Sequence, residues 1–229
     1  MEKSHLIDLK QFEIFYSIEY SSIQELIKYG QIKQISKNTL LIEEGQENEN
    51  IYFLLKGMAY HFCLCDLSTK RILNVDEKGR FLNEDALYQE KASSSIEVCK
   101  NSVLLVIPIS TMEKIILEQP LFSKQIHLSL MNKYKENQTL LRYNSYQNSQ
   151  ERLKFYLFYL AKKFGKKQND QIEIMGDFSV VFLSQLIGAK RETTSRILNQ
   201  LIDQHFLFYQ DKHLVILQPQ QNKQKNIYN

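Results

Sequence analysis

Apolar and polar residues form short alternating runs in the first half of the chain and follow a helical spacing further on. From about Leu40 to Ile109 the runs are separated by turn signals, which favours an antiparallel β-barrel or sandwich. A helical segment at Ile23–Tyr29 precedes them. The predicted strands are Thr39–Ile42, Ile51–Lys56, Ala59–Leu64, Arg71–Val75, Ser95–Val98 and Val103–Ile107.

Helical spacing begins after Pro108 and predicts a short helix at Met112–Glu118, a long helix at about 121–145 and a third at Glu151–Phe164. The long helix carries an imperfect apolar seam that polar residues dilute. Such a seam pairs two helices weakly and fixes their register, but the spacing also allows the helix to pack only on its own barrel. The seam residues are Ile126, Leu130, Lys133, Tyr134, Asn137, Leu140 and Leu141.

A second pair of helices is predicted around Gly188, with Leu183 and Leu186 on the first helix and Ile197 and Leu201 on the second facing one core. The outer face of the second helix is polar. Arginine pairs with guanine, glutamate accepts from the cytosine amino group, and serine or threonine serves either, so this face is typical of a DNA-reading helix. The outward residues predicted here are Arg191, Glu192, Thr194, Ser195, Arg196 and Asn199.

Two further apolar runs, Phe206–Tyr209 and Leu214–Leu217, flank a polar turn and predict a hairpin wing. The tail at 221–229 is predicted to be disordered. Charge supports a nucleic-acid partner for this end of the chain. Residues 150–229 hold 12 Lys and Arg against 7 Asp and Glu, whereas residues 1–149 hold 17 against 19.

Composition excludes several other classes. The longest apolar run, Val103–Ile109, is far too short to span a membrane, and the amino terminus has no secretory signal, so we expect a cytoplasmic protein. Three cysteines in 229 residues argue against a disulfide framework. No phosphate-binding loop, nucleophile elbow or catalytic His/Asp/Cys set is present, so we do not expect an enzyme.

No metal or cluster site is expected either. The five histidines lack paired ligand spacing, and Cys63, Cys65 and Cys99 are too few for a four-cysteine cluster. Cys63 and Cys65 face one side of a strand, which leaves a redox role open. Small buried hydrophobic residues are the preferred interpretation of both.

The segment GAKRETTSRIL, which starts at Gly188, resembles the helix-turn-helix of the CRP/FNR (cyclic-AMP receptor protein / fumarate-nitrate regulator) family of bacterial transcription factors. The resemblance implies base contacts by Arg191, Glu192 and Arg196, with Ser195 as an additional one. Lys190 replaces the usual Ser or Thr cap of this helix, and Val180 and Val181 replace polar residues of the preceding one, for which Ser179 is the predicted N-cap. Ser179 and Lys190 complete the predicted DNA-binding set.

Gly45, Gly57 and Gly79 are placed as in the cyclic-nucleotide-binding barrel of the same family, where they allow left-handed turns. The family's phosphate-binding cassette falls on Asn83, Glu84, Ser93 and Ser94, and Thr139 lies near its adenine contact. Ser93 stands at the arginine position, and no arginine lies between Arg80 and Arg142. Because a buried phosphate without its guanidinium loses a bidentate contact, we do not expect cyclic AMP as the effector, which remains unknown.

The sequence therefore predicts an α+β protein. An antiparallel β-barrel sensor of jelly-roll type spans 1–120, a dimerisation helix spans 121–145 and a winged helix-turn-helix spans 146–229. The expected partners are double-stranded DNA bearing an inverted repeat, a second copy of the chain, a possible small-molecule effector and, for an activator, RNA polymerase. Two alternatives stay open: a cyclic-nucleotide-binding module that acts through protein contacts, and a constitutive DNA-binding regulator with a vestigial barrel.

Overall fold

Strands and turn glycines alternate through the first half of the chain, as the apolar pattern predicts. The structure, a computed structural model, describes residues 8–65, 69–89, 91–145 and 148–217, so the predicted disordered tail lies outside the described residues. The chain divides into two units, 1–141 and 142–229, with the division inside a long helix. The predicted domain boundaries at 120 and 145 remain predictions.

Among the described residues, the first unit contains seven strands in two antiparallel sheets. One has the order β1-β7-β3 and the other β2-β6-β4-β5. Within the described residues, no strand of one sheet pairs along its length with a strand of the other. The unit is therefore a two-sheet arrangement and not the predicted closed barrel, and the α+β class is confirmed. The strands are β1 (Gln31–Ile35), β2 (Thr39–Ile42), β3 (Asn50–Lys56), β4 (Met58–Leu64), β5 (Lys70–Glu77), β6 (Ser95–Val98) and β7 (Ser102–Pro108).

The turns of this unit confirm the predicted role of the glycines. Gly45, Gly57 and Gly79 all have positive φ angles. At Gly57 the φ angle is +98°, and a Cβ atom there would lie 2.1 Å from Oγ of Ser102. Since Gly57 joins β3 directly to β4, only glycine fits this tight reversal. β1 was not predicted; it pairs with β7 along its whole length.

The described part of the first unit has three α-helices: α1 (Tyr20–Tyr29), α2 (Ile109–Glu118) and α3 (Pro120–Asn144), the last of which runs on into the second unit. Phe122 of α3 stacks on Phe15 with ring centroids 5.7 Å apart, and Phe53 packs against both Phe15 and Phe81. This aromatic cluster fixes one face of α3 on the core of its own unit.

The inward face of α3 corrects the predicted dimer seam. Ile126 is fully buried in the same core, Leu140 is only 3% exposed, and Lys133 bonds to the first unit. Leu130 is half-buried, whereas Tyr134, Asn137 and Leu141 are exposed. Ile126 was therefore wrongly assigned to the seam, because the core of its own unit covers it, while pairing through the exposed seam residues stays a prediction. The exposed apolar residues of α3 are Leu121, Leu128, Met131, Tyr134 and Leu141.

In the part of the second unit that the structure describes, three helices pack against one antiparallel sheet of order β10-β11-β9-β8. Leu153, Tyr156 and Leu160 of its first helix are fully buried, as are Leu183 and Leu201 on the next two. The elements are α4 (Ser149–Phe164), β8 (Gly165–Gln168), β9 (Gln171–Ile174), α5 (Val180–Ile187), α6 (Arg191–Asp203), β10 (Leu207–Gln210) and β11 (His213–Leu217). The wing hairpin is confirmed, whereas β8 was not predicted.

Candidate nucleic-acid interface

The turn between α5 and α6 sets the two helices at an angle. Gly188 adopts the left-handed conformation with φ of +63°, and the N–H groups of Gly188 and Ala189 both donate to the carbonyl of Ser184. A side chain in this conformation costs about 1 kcal/mol or more, so glycine is the suitable residue. At the other end of α5, Oγ of Ser179 accepts from the N–H of Phe182 at 3.2 Å, which confirms the predicted cap.

Arg152 of α4 stabilises the carboxyl end of α5 next to this turn. Its Nε donates to the carbonyl oxygen of Ile187 at 3.2 Å, and its Nη2 donates to Oγ of Ser149 at 3.0 Å. A cation at the carboxyl end of a helix satisfies an open carbonyl group and favours the helix dipole. Arg152 was not predicted as part of this site, because its partner lies 35 positions away.

The amino terminus of α6 has no side-chain cap. Lys190 precedes the helix in an extended conformation, and its side chain accepts no hydrogen bond from the first turn, as predicted. The first four N–H groups of a helix have no partner within the helix, and phosphate oxygens are suitable acceptors at such ends. The start of α6 therefore offers donors to an anionic partner.

A shallow groove, which we call the α6 groove, runs along the outer face of this helix. The groove brings together five of the six residues predicted on that face. Gln200 and Asp203 of α6 were not predicted, although each lies one turn beyond a predicted residue, Arg196 or Asn199. The lining residues are Val180, Arg191, Glu192, Ser195, Arg196, Asn199, Gln200 and Asp203.

The polar groups of the α6 groove are free of internal bonds. Among the described residues, the side chains of Arg191, Glu192 and Arg196 form neither a hydrogen bond nor an ion pair. All three are exposed. Two guanidinium groups and a carboxylate therefore face outward with their hydrogen-bonding capacity unused.

Thr194 corrects the prediction for this face. Its side chain is fully buried, and its hydroxyl donates to the carbonyl of Lys190 at 3.1 Å. Thr194 lies one turn before Ile197 and Leu198 and two turns before Leu201, which are the buried residues of α6. The spacing of those apolar residues was the available signal that Thr194 belongs to the core side.

The predicted effector residues lie in the first unit and bond to their own chain. Asn83 accepts from the N–H of Tyr52 and donates to the carbonyl of Asn50. Buried Glu84 accepts from two residues of α3, Ser129 at 2.8 Å and Lys133 at 2.7 Å.

The other three predicted effector residues also have internal partners. Exposed Ser93 donates to Asp85 at 3.0 Å, and buried Ser94 contacts Nδ1 of His61 at 2.9 Å. Thr139 donates to the carbonyl of Lys135 one turn back in α3. None of these bonds excludes a ligand at the surface, but the buried carboxylate of Glu84 is already satisfied.

The cysteines differ from the preferred interpretation. Cys63 is half-buried, Cys65 is exposed, and both are free thiols. Burial, followed by the neighbouring thiol of Cys65, raises the pKa of Cys63, so its thiolate is disfavoured. In the part of the chain that the structure describes, no group of three or more His, Cys, Asp or Glu residues is placed to hold a metal ion. No helix of that part is long and apolar enough to cross a membrane.

Comparisons with known proteins agree with this architecture. Residues 32–119 match the cyclic nucleotide-binding domain, and residues 151–221 match the Crp-like helix-turn-helix domain. The fumarate and nitrate reduction regulatory protein of Vibrio cholerae is 21% identical over 210 residues, which cover 91% of this chain and 84% of that protein. The anaerobic regulatory protein of Pasteurella multocida is 21% identical over 184 residues, which cover 80% of this chain and 67% of that protein.

Two solved structures show the same fold. The c-di-GMP responsive global regulator CLP of Xanthomonas campestris aligns with a TM-score of 0.74 at 15% identity, over 88% of this chain and 100% of that one. A CooA mutant from Carboxydothermus hydrogenoformans aligns with a TM-score of 0.73 at 20% identity, over 94% of each. The protein is a DNA-binding transcription regulator with a cyclic nucleotide-binding domain and a helix-turn-helix. It belongs to the CRP/FNR family.

Proposed function

We propose that the α6 groove reads base edges in the major groove of double-stranded DNA. The observation that carries this proposal is the set of outward, unbonded side chains at Arg191, Glu192 and Arg196. A guanidinium group binds the O6 and N7 atoms of guanine in a bidentate manner, and a carboxylate accepts from the amino group of cytosine. Ser195 and Asn199, whose polar side chains are shorter, contact neighbouring bases.

The contacts to the DNA backbone come from the ends of the two helices. The uncapped start of α6 at Lys190 offers N–H groups and one cation to a phosphate, and Ser179 holds the start of α5. Val180 and Val181 cannot donate to phosphate, so this part of the interface contributes less affinity than a polar pair would. We therefore propose that binding depends on base contacts more than on the start of α5.

The second proposed partner is another copy of the chain, which packs on the outward face of α3. The exposed apolar side chains there lie between Leu121 and Leu141. Met131, Tyr134 and Leu141, together with polar Gln138, have the three-and-four spacing of a helix pair. A two-fold dimer presents two α6 helices to two half-sites, centred roughly 34 Å apart on an inverted repeat. The protein then works in the cytoplasm, where bacterial DNA lies, and contacts RNA polymerase if it activates transcription.

The proposed effector is not cyclic AMP. Ser93 is a neutral hydroxyl at the place where the family resemblance puts an arginine, and it already donates to Asp85. A cyclic phosphate in this unit would lack its bidentate cation.

Selection of duplexes from a randomised pool tests the proposal. We expect enrichment of one inverted repeat whose half-sites lie about one helical turn apart, and at least 100-fold weaker binding of a single half-site. Unpatterned duplexes after selection would contradict base reading, and an enriched half-site without a repeat would contradict the dimer. Retention of cyclic nucleotides with no binding of any duplex would favour a sensor module that acts through protein contacts.

A further inference from the structure

Glu84 and Lys133 form a buried ion pair inside the first unit. The side chains of Glu84 and Lys133 are 1% and 12% exposed, and Nζ of Lys133 lies 2.7 Å from Oε2 of Glu84. The other carboxylate oxygen accepts from Ser129, which lies one turn before Lys133 on the same face of α3. Both oxygens of Glu84 are therefore bound by α3.

The ammonium group of Lys133 is held by oxygen atoms on more than one side. Besides Glu84, it donates to the carbonyl oxygen of Phe81 at 2.6 Å. A primary ammonium group has three N–H donors and matches this arrangement of a carboxylate and a carbonyl, whereas an anion does not. The oxygen atoms thus form a binding site for a primary ammonium ion, which we call the ammonium cage (Glu84 carboxylate and Phe81 carbonyl).

Charges around the ammonium cage keep Lys133 protonated. Burial alone would lower the pKa of Lys133, but the attraction of Glu84 and Asp76, the hydrogen bond to Glu84 and the attraction of Asp85 together raise it. Asp76 is itself buried, with a side chain 1% exposed and Oδ2 3.1 Å from Nε2 of His61. A phosphate at this place would be repelled by the carboxylates, because the ammonium group of Lys133 is already paired with Glu84.

We propose that Lys133 is a tethered ligand of the first unit: its ammonium group occupies the ammonium cage and holds α3 in place without a bound effector. The chemical class that fits the cage is a primary alkylammonium ion, here supplied by the chain itself. Anionic nucleotides do not replace it. This inference concerns the first unit alone and does not depend on the proposed DNA reading.

Thermal unfolding of the full chain tests the proposal by chemical rescue. Lys133→Ala removes three methylene groups and the ammonium group, which together have the size of propylammonium. Because the variant leaves a buried carboxylate unpaired, we expect the unfolding temperature to fall by about 10 °C. Propylammonium should restore at least half of that loss in a saturable manner, while propanol, butyrate and tetramethylammonium should restore none.

Controls separate this effect from general salt or solvent action. Lys135→Ala deletes the same charge from an exposed position of α3 and should show neither the loss nor the rescue. Cyclic AMP should not raise the unfolding temperature of the unaltered chain. Equal rescue by propanol or butyrate, no rescue of a folded variant, or a saturable rise with cyclic AMP would overturn the proposal.

A second pair of variants applies if Lys133→Ala does not fold. Lys133→Met keeps an unbranched apolar side chain out to the ε-carbon and removes only the ammonium group, and Glu84→Gln removes the matching charge. Each single variant should lower the unfolding temperature, and the double variant should recover at least half of the Lys133→Met loss because no buried charge is left unpaired. Additive losses would show that the two residues do not act as a pair and would contradict the proposal.

Discussion

Thr194 and Ser195 are neighbours in α6, but one side chain faces the core and the other faces the α6 groove. Thr194 is fully buried and donates to the carbonyl of Lys190, whereas Ser195 lines the α6 groove together with Arg191 and Arg196. Two adjacent residues of the same chemical type thus have different environments. Their substitutions should separate the stability of the helix from the recognition of DNA.

Thr194→Val is expected to leave the affinity for the selected operator within about twofold of the unaltered protein. The hydroxyl donates only to a carbonyl that already accepts from the N–H of Thr194, so the free energy of unfolding should change by about 1 kcal/mol. Ser195→Ala should instead lower the affinity about fivefold with stability unchanged. Fluorescence anisotropy and urea unfolding measure the two quantities. A tenfold loss of affinity in a stably folded Thr194→Val protein would return Thr194 to the DNA-contacting face.

Arg196→Ala should lower the affinity for the operator by about 5-fold to 150-fold, because one guanidinium–guanine contact contributes about 1–3 kcal/mol of discrimination. Binding to unrelated duplexes should persist with its usual dependence on salt. The matched control is Lys162→Ala, which removes the same charge from an exposed position of α4 outside the α6 groove. It should affect operator and unrelated duplexes equally. An unchanged ratio of the two affinities in Arg196→Ala would remove this residue from base recognition.

Met131→Glu is expected to convert the dimer into a monomer, as measured by sedimentation, because it places a carboxylate in the apolar surface of α3. Leu40→Glu makes the same kind of change on β2 at nearly equal exposure, 52% against 50% for Met131. That control should stay dimeric. If the Met131→Glu protein keeps its dimeric mass, then α3 does not pair the subunits through this face.

Stability should fall at alkaline pH, partly through Tyr60. Burial, followed by its hydrogen bond to Glu97, raises the pKa of Tyr60 above the usual value of about 10. The unfolded chain then loses the phenol proton first, so the stabilisation is present below about pH 10 and is lost as the pH rises further. Lys133, whose pKa is also raised, acts in the same direction. Tyr60→Phe should therefore flatten the decline of unfolding free energy between about pH 9 and 11. An identical slope in the variant would contradict this assignment.

Local signals explain why the helix-turn-helix could be predicted almost to the residue. Ser179 starts α5, Gly188 ends it, and the apolar spacing of α6 gives its buried side, all within 25 residues. The turn glycines of the first unit are equally local. These features depend on backbone conformation and hydrogen bonds that a short segment forms with itself.

Partners distant in sequence account for the errors. β8 is a polar segment that forms a strand because it pairs with β9, which in turn pairs with β11 about 40 residues later. The apolar residue Ile126 was predicted to face a second subunit, since hydrophobicity alone does not tell which surface covers a side chain. Glu84 and Lys133 are 49 positions apart, so the spacing of apolar and polar residues around each of them does not predict that they pair.

Base reading by α6 requires that specific guanidinium groups of this helix contact guanine edges. The most direct measurement replaces each guanine of the selected operator in turn by 7-deazaguanine, which lacks the N7 acceptor, and compares the unaltered protein with Arg191→Ala and Arg196→Ala. For the unaltered protein, we predict about tenfold weaker binding at the contacted guanine. At that same guanine, the variant that lacks the contacting arginine should lose less than twofold. If no replacement weakens the unaltered protein, or if both variants lose as much as it does, α6 does not read guanine edges in this way.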